Sequence, residues 1–122
     1  MNKPRIAAVL VAALVALYVS TASAMTIREF RKFSADEQSM YIGAAVNMLA
    51  YTYAANGNVP KATCIKNWYF GKRGVETPGP HEIAIEMGVA EHLNADKYHV
   101  EGVILGVTDK ACPAATPAQS KP

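Results

Sequence analysis

The most regular hydrophobic pattern of the chain lies between residues 34 and 56. Apolar side chains recur there with the period of a helix; they are Ile42, Val46, Leu49 and Tyr53, with Ala45 and Met48 beside them. Further apolar positions, Ala44, Tyr51 and Ala55, extend around the helix. Ser34 and Glu37 have the spacing of a capping box, and Gly57 is placed as a C-cap glycine. We expect this central helix to form the core, with other helices laid around it.

Two helical segments are predicted next to the central helix. Residues 26–33 form a short helical turn, in which Thr26 and Glu29 repeat the capping-box spacing. After the turn at residues 56–58, a helix begins at Pro60, with Asn58 or Val59 as its cap, and continues over residues 61–70. This second segment carries an aromatic cluster, Trp68, Tyr69 and Phe70, which we interpret as core packing beside Cys64.

The remainder of the pattern predicts one loop and two more helices. Glycines and Pro78 make residues 71–79 a loop, and Pro80 opens a helix that runs to about Leu93. A last helix runs from Lys97, capped by Asp96, to about Ala111. Its apolar stripe is the clearest in the chain and consists of Val100, Val103, Ile104 and Val107.

Two glycines, Gly102 and Gly106, lie four positions apart in this last helix. Glycine inside a helix costs about 1 kcal/mol relative to alanine, so the pair predicts a close approach of another backbone. That backbone belongs either to the Gly43–Ala44 side of the central helix or to another subunit.

The N-terminus has the layout of a secretory signal peptide. Lys3 and Arg5 precede an apolar run over residues 6–19, and the small residues that follow predict cleavage after Ala24. The run is shorter than the roughly 20 residues of a membrane-spanning helix. We therefore expect a secreted protein with no membrane association after cleavage; an uncleaved N-terminal anchor is the alternative. The expected organisation is a signal peptide at 1–24, a helical domain at 25–112 and a disordered tail at 113–122.

Charge and cysteine content narrow the class of protein further. Lys3 and Arg5 account for the formal net charge of +2, so the mature part has no basic surplus for nucleic-acid binding. Cys64 and Cys112 enter an oxidising compartment and are predicted to form a disulfide, worth roughly 4 kcal/mol by loop closure. A metal pair or a redox dithiol has no support, because neither cysteine stands in a CxxC motif. The prediction is an all-α fold, a small four- to five-helix bundle with one disulfide.

No catalytic, metal or cofactor motif is apparent in the sequence. His81-Glu82 lacks the second histidine that a zinc-protease motif places four positions later, where Ile85 stands. Glu82 and Glu86 are interpreted as a solvated helix face. The sequence therefore favours a binding protein without enzymatic activity or cofactor. Its candidate core or interface residues are Tyr41, Ile42, Val46, Trp68, Val103, Ile104 and Val107, and its candidate partner-binding loop carries Lys72, Arg73 and Glu76.

Five parts of the chain form a pattern: Tyr41-Ile42-x-Ala44-x-Val46, Thr63-Cys64-Ile65, Glu91-His92-Leu93, His99, and the ending Val103-Ile104-x-x-Val107-x-x-x-Ala111-Cys112. In this pattern the chain resembles the Rap/Tai-type periplasmic immunity proteins. The resemblance implies a small all-helical periplasmic protein, often dimeric, that occludes a peptidoglycan amidase delivered by type VI secretion. The family commonly has a second cystine near the central helix, where this chain has Lys32, Phe33 and Ser39.

A second resemblance gives an alternative function. Thr26-x-x-Glu29-Phe30 is similar to the opening of HdeA-type acid-stress chaperones, although Ile27 stands where that family has cysteine. It implies that acid would separate subunits and expose apolar faces to client proteins. A periplasmic adaptor or structural protein is the third hypothesis.

Overall fold

A computed structural model of the chain describes residues 24–72 and 76–114, and these form an all-helical domain. The five helices are α1 (Ile27–Phe30), α2 (Ala35–Ala55), α3 (Val59–Phe70), α4 (Gly79–Asn94) and α5 (Val100–Ala111). The predicted helix bundle with one disulfide is confirmed. The predicted signal peptide, apart from Ala24, and the predicted tail beyond residue 114 lie outside the described residues.

The N-terminal segment is fastened to the connection between α4 and α5. Thr26 and Glu29 form the predicted capping box, and Thr26 also makes an antiparallel bridge with His99. Around this bridge Ile27 N donates to Tyr98 O at 3.1 Å, and Val100 N donates to Met25 O at 3.0 Å. The short α1 is therefore held by backbone pairing on one side and by its two buried residues, Ile27 and Phe30, on the other.

The same bridge corrects the predicted start of the last helix. The helix begins at Val100 with His99 at the N-cap position, so the start at Lys97 and the cap at Asp96 are wrong. His99 has an extended backbone, with φ −106° and ψ 144°, because it pairs with Thr26. The Asp96 carboxylate instead pairs with the guanidinium of Arg28.

Helices α2 and α3 form a helical hairpin, and the capping and turn signals predicted for this segment are present. The Ser34 side chain and Glu37 complete a capping box at the start of α2, and Gly57 adopts a positive φ of 87° just after it. Asn58 then caps α3, its side-chain oxygen accepting from Lys61 N at 3.2 Å. Between the two alternatives for this cap, Asn58 is therefore the one that the structure uses.

The expectation that α2 is enclosed on most sides is wrong. Only Val46 and Ala50 of α2 are fully buried, and the helix that α2 contacts most extensively is α3. Each of the other helices contributes to a shared core instead; its largest fully buried hydrophobic side chains are Phe30, Ile27, Ile65, Ile83, Met87, Val46 and Val100. Within residues 24–72 and 76–114, the four other helices, one of them a single turn, leave the outer side of α2 uncovered.

The candidate core residues divide between the interior and its edge. Val46, Ile104 and Val107 are buried, whereas Tyr41, Ile42, Trp68 and Val103 are half-buried and pack against the core. Cys64 and Cys112 form the predicted disulfide, with the two sulfur atoms 2.07 Å apart, and so tie α3 to the end of α5. This cystine fixes the relative placement of the helices that border the surfaces described next.

Candidate functional site: two open apolar surfaces

The outer side of α2 carries a continuous apolar stripe exposed to solvent. We call it the α2 stripe; it consists of Met40, Ala44, Met48, Tyr51 and Ala55, all of them exposed. Met40, Met48 and Tyr51 are 74, 64 and 68% exposed, which is unusual for large apolar side chains placed in one row. The spacing of three and four positions places all five on one helical face.

The composition of the α2 stripe suits contact with a protein. Methionine is flexible and polarisable and adapts to different partner surfaces, and aromatic residues and methionine are enriched in interface cores. The charged residues of α2 are Asp36 and Glu37, and both lie in its first turn. The stripe itself bears no charge, so a partner would bind it without the cost of desolvating a charged side chain.

A groove between α4 and α5 forms the second open surface. It has a volume of about 930 Å³ and is lined mainly by apolar side chains. Ile85, Val89 and Leu93 on its α4 side are 51, 48 and 65% exposed. These three residues follow one another at intervals of four and therefore form a row along one edge of the groove.

Gly102 and Gly106 line the opposite side of this α4–α5 groove. A Cβ atom added at either glycine would meet no other group of the described residues within 4 Å. The predicted close approach to the Gly43–Ala44 side of α2 is therefore wrong. The glycines leave the groove wide rather than bringing two helices of this chain together.

One end of the α4–α5 groove is built around Trp68. Its indole N–H donates to Glu82 Oε2 at 3.0 Å, which joins α3 to the first turn of α4. Gly79 packs so tightly there that an added Cβ would lie 2.8 Å from Trp68 O and from Tyr69 Cα. The ends of the predicted partner-binding loop are thus held together at Trp68. Lys72 and Glu76 of that loop are exposed, and Arg73 lies outside the described residues.

A hydrogen bond between Tyr41 and Glu101 joins α2 to α5 behind these surfaces. The Tyr41 hydroxyl donates to Glu101 Oε1, while Glu101 Oε2 is buried without a hydrogen-bond partner in the described structure. Burial, together with this bond to a carboxylate, raises the pKa of Tyr41 to about 12. Tyr41 therefore stays protonated and acts as a donor that positions Glu101, and its ring also packs edge-on against Phe30.

An ion pair between a buried lysine and a half-exposed aspartate, which the sequence analysis missed, lies beside the cystine. The Lys61 side chain is only 6% exposed, and its Nζ lies 2.6 Å from Asp109 Oδ1 and 4.4 Å from the Tyr53 ring centroid. Its hydrogen bond to Asp109 raises the pKa of Lys61 above the ordinary value. The sequence did hold a signal, because Lys61 and Asp109 each precede a cysteine by three positions.

Within residues 24–72 and 76–114, no three metal-binding side chains cluster together, and none of the helices has the length and hydropathy to cross a bilayer. No protein-family model matches the chain, and no curated protein or solved structure shows significant similarity to it.

Proposed function

We propose that this protein is a secreted periplasmic binding protein of the immunity type, which inhibits a peptidoglycan amidase by covering it. The observation that carries the proposal is the α2 stripe. Met40, Met48 and Tyr51 are mostly exposed on a helix whose opposite side packs into the core. Large apolar side chains left in a row on a rigid helix are typical of a surface that a protein partner covers.

The position of the α2 stripe supports recognition by a preformed surface. The helix spans 21 residues and is held at its start by a capping box, while Tyr41 anchors it to α5 through Glu101. A rigid surface loses little conformational entropy on binding, which favours affinity. The resemblance to Rap/Tai-type proteins supports the choice of partner, since its Tyr41-to-Val46 segment lies on this same helix.

The test is inhibition of recombinant peptidoglycan amidases, including any that is encoded beside this gene. We expect the oxidised protein to inhibit one of them, and Met48→Glu to weaken that inhibition about thirty-fold, the effect of losing a hot-spot contact of ~2 kcal/mol. Met48 is largely exposed, so the change leaves the fold intact. Val89→Glu, a matched change on the α4–α5 groove, is the control and should inhibit as well as the wild type.

Failure to inhibit any amidase in the panel would contradict the proposal. Equal loss of inhibition in Met48→Glu and Val89→Glu would show that the amidase does not bind specifically through the α2 stripe. Circular dichroism of each variant shows whether its helices are retained.

The acid-chaperone alternative has one specific observation in its favour. The α1 turn is tied to the rest of the domain through carboxylates: Arg28 pairs with Asp96, and Arg31 Nε lies 2.9 Å from Glu91 Oε2. Loss of the Arg28–Asp96 pair in acid would loosen α1 and uncover the buried Ile27 and Phe30. Suppression of client aggregation at about pH 2–3, below the ordinary pKa of Asp and Glu, would support this function. A chain that binds no hydrophobic dye there would exclude it.

A further inference from the structure

The α4–α5 groove has a mainly apolar lining between two different ends. Residues 95–99, which join α4 to α5, form one end. The other end lies at Trp68, whose indole N–H donates to Glu82 in the first turn of α4. Aliphatic side chains line the stretch between these ends: Ile85, Val89, Leu93, Val103 and Val107. An occupant of this stretch therefore makes mostly hydrophobic contacts.

The α5 wall of the groove has open space beside two glycines. A Cβ atom added at Gly102 or Gly106 would meet no group of the described residues within 4 Å. The lining on this side extends from His99 to Ala111, which is roughly 18 Å at the helical rise of ~1.5 Å per residue. The groove volume of about 930 Å³ lies within the range of roughly 300–1,000 Å³ that is usual for small-molecule sites. The groove is therefore long enough and large enough for an extended acyl chain.

The end of the groove at the α4–α5 connection is cationic. Lys97 lines it together with His99, and within the described residues the Lys97 ammonium forms no salt bridge. The nearby carboxylates have partners in the same chain: Glu29–Thr26, Glu91–Arg31, Asp96–Arg28 and Glu101–Tyr41. Lys97 is therefore available to an anionic group of a ligand.

The half of the groove next to Trp68 has the opposite net charge. Glu82 and Glu86 line it, and Lys110 offsets one of these two negative charges. An anionic head group is thus attracted to the connection end and repelled from the Trp68 half. The charges give an amphiphilic anion one preferred direction in the groove.

We propose that the α4–α5 groove binds a free fatty acid of about the length of laurate, with its carboxylate at Lys97 and His99 and its tail pointing toward Trp68. A saturated chain buries apolar surface against the groove and leaves no polar group unpaired along the aliphatic stretch. An extended peptide there would leave backbone N–H and C=O groups without partners. The single row of Ile85, Val89 and Leu93 and the single cationic end suit one acyl chain rather than a two-chain phospholipid.

This site does not rest on the proposed function, because it uses none of the residues of the α2 stripe. A chain that binds laurate without inhibiting any amidase would refute the proposed function alone. An inhibitor that binds no laurate would refute the fatty-acid site alone.

Trp68 is the single tryptophan of the chain and can report directly on the position of the tail. Laurate brominated at its terminal carbon, used below its micellar concentration, should quench the fluorescence of the oxidised protein, because the bromine lies beside the indole. Laurate brominated next to its carboxylate should bind equally well in competition with unlabelled laurate and quench much less. Absence of quenching by the terminal isomer, or equal quenching by both isomers, overturns the inference.

Gly106→Leu tests the path of the tail along α5. The leucine fills the space beside α5 and should weaken laurate binding by roughly ten-fold, the effect of losing about one part in two of the contacts that a short chain makes. Gly88→Leu is the matched control, since Gly88 does not line the groove and a Cβ there also meets no described group within 4 Å. Circular dichroism checks that both variants remain helical. Undiminished binding by Gly106→Leu, or an equal loss in Gly88→Leu, overturns the inference.

Lys97→Glu tests the position of the head group. It should weaken laurate binding by roughly ten-fold, because an attraction becomes a repulsion. Lauryl alcohol has the same chain without the charge and should bind the variant and the wild type equally. Lys66→Glu, on an exposed lysine outside the groove, is the control and should bind laurate normally. Equal weakening of both ligands by Lys97→Glu overturns the inference, and so does binding to dilauroylphosphatidylglycerol vesicles in preference to laurate.

Discussion

Lys61 Nζ lies 2.6 Å from Asp109 Oδ1, one helical turn before the cystine on both α3 and α5. The same two helices are thus joined twice, once by a covalent bond and once by an ion pair. Tyr53 of α2 adds its ring face to the Lys61 ammonium, and its hydroxyl donates to Asp109 at 3.2 Å. This cluster fixes α2, α3 and α5 together behind the α2 stripe.

Removing the negative charge of this cluster should destabilise the domain. Asp109→Asn leaves the buried Lys61 ammonium without its carboxylate, and we expect a loss of about 2 kcal/mol in the free energy of unfolding. Asp109 is itself about half exposed, which keeps the cost below that of a fully buried pair. Urea denaturation measures the change, with Asp36→Asn on the exposed start of α2 as the control. Equal effects of the two variants would show that the Lys61 pair contributes little.

Reducing the cystine should cost more than breaking the ion pair. The disulfide closes a loop with a sequence separation of 48, and the chain-entropy relation gives about 4 kcal/mol for such a loop. Thermal melts with and without a thiol reductant should therefore differ clearly in midpoint. A variant that carries serine at both Cys64 and Cys112 is the control and should not respond to the reductant. Superimposable melts of the wild type would contradict a structural role for the bond.

Gly79 and Gly88 of α4 form a matched pair for a test of packing. A Cβ at Gly79 would lie 2.8 Å from backbone atoms of Trp68 and Tyr69, whereas one at Gly88 would meet nothing within 4 Å. Gly79→Ala should therefore lower stability by about 1–3 kcal/mol through overpacking. Gly88→Ala should raise it by up to about 1 kcal/mol, the gain in helix propensity. Both values come from denaturant melts, and a stabilising Gly79→Ala would disprove the close contact.

The local signals of the sequence predicted the helices well, because they depend on neighbouring residues. Both capping boxes form, and Gly57 takes the positive φ that a C-cap glycine requires. The start of α5 could not be predicted in this way. It depends on the bridge between Thr26 and His99, which are far apart in sequence. Asp96 fits the local pattern of an N-cap, but the pairing of His99 with Thr26 places the start of the helix at Val100.

The open surfaces were harder to predict than the helices, since hydropathy does not say which apolar side remains uncovered. Met48 and Tyr51 counted as evidence for an enclosed α2, and yet both are exposed. The glycines of α5 likewise indicated a close contact that the monomer does not make. Burial depends on how many neighbouring elements exist, and among the residues that the structure describes two apolar faces have no neighbour.

Acid should loosen α1 before it unfolds the remainder of the domain. The hydrogen bond from Arg28 holds the pKa of Asp96 below its ordinary value, and the backbone hydrogen bond from Thr26 does the same for the pKa of Glu29. A carboxyl with a lowered pKa stabilises the folded state above its unfolded pKa of about 4 and loses that contribution as the pH falls through the folded value. The α1 contacts should therefore weaken below about pH 4.

Amide NMR can follow this step through Ile27 and Arg28, whose N–H groups donate to Tyr98 O and Ala95 O. Their resonances should shift in acid before those of the buried Val46. Asp96→Asn is the matched variant, and it should displace the Arg28 resonance already at neutral pH. Simultaneous loss of all three signals in the wild type would contradict a separate α1 step.

Amidase inhibition titrated with the wild type, Met48→Glu and Val89→Glu tests most directly whether the α2 stripe covers a peptidoglycan amidase, as we propose. We expect strong inhibition by the wild type and by Val89→Glu, and about thirty-fold weaker inhibition by Met48→Glu. If Met48→Glu inhibits as well as the wild type, or if none of the three proteins inhibits, the α2 stripe does not cover an amidase.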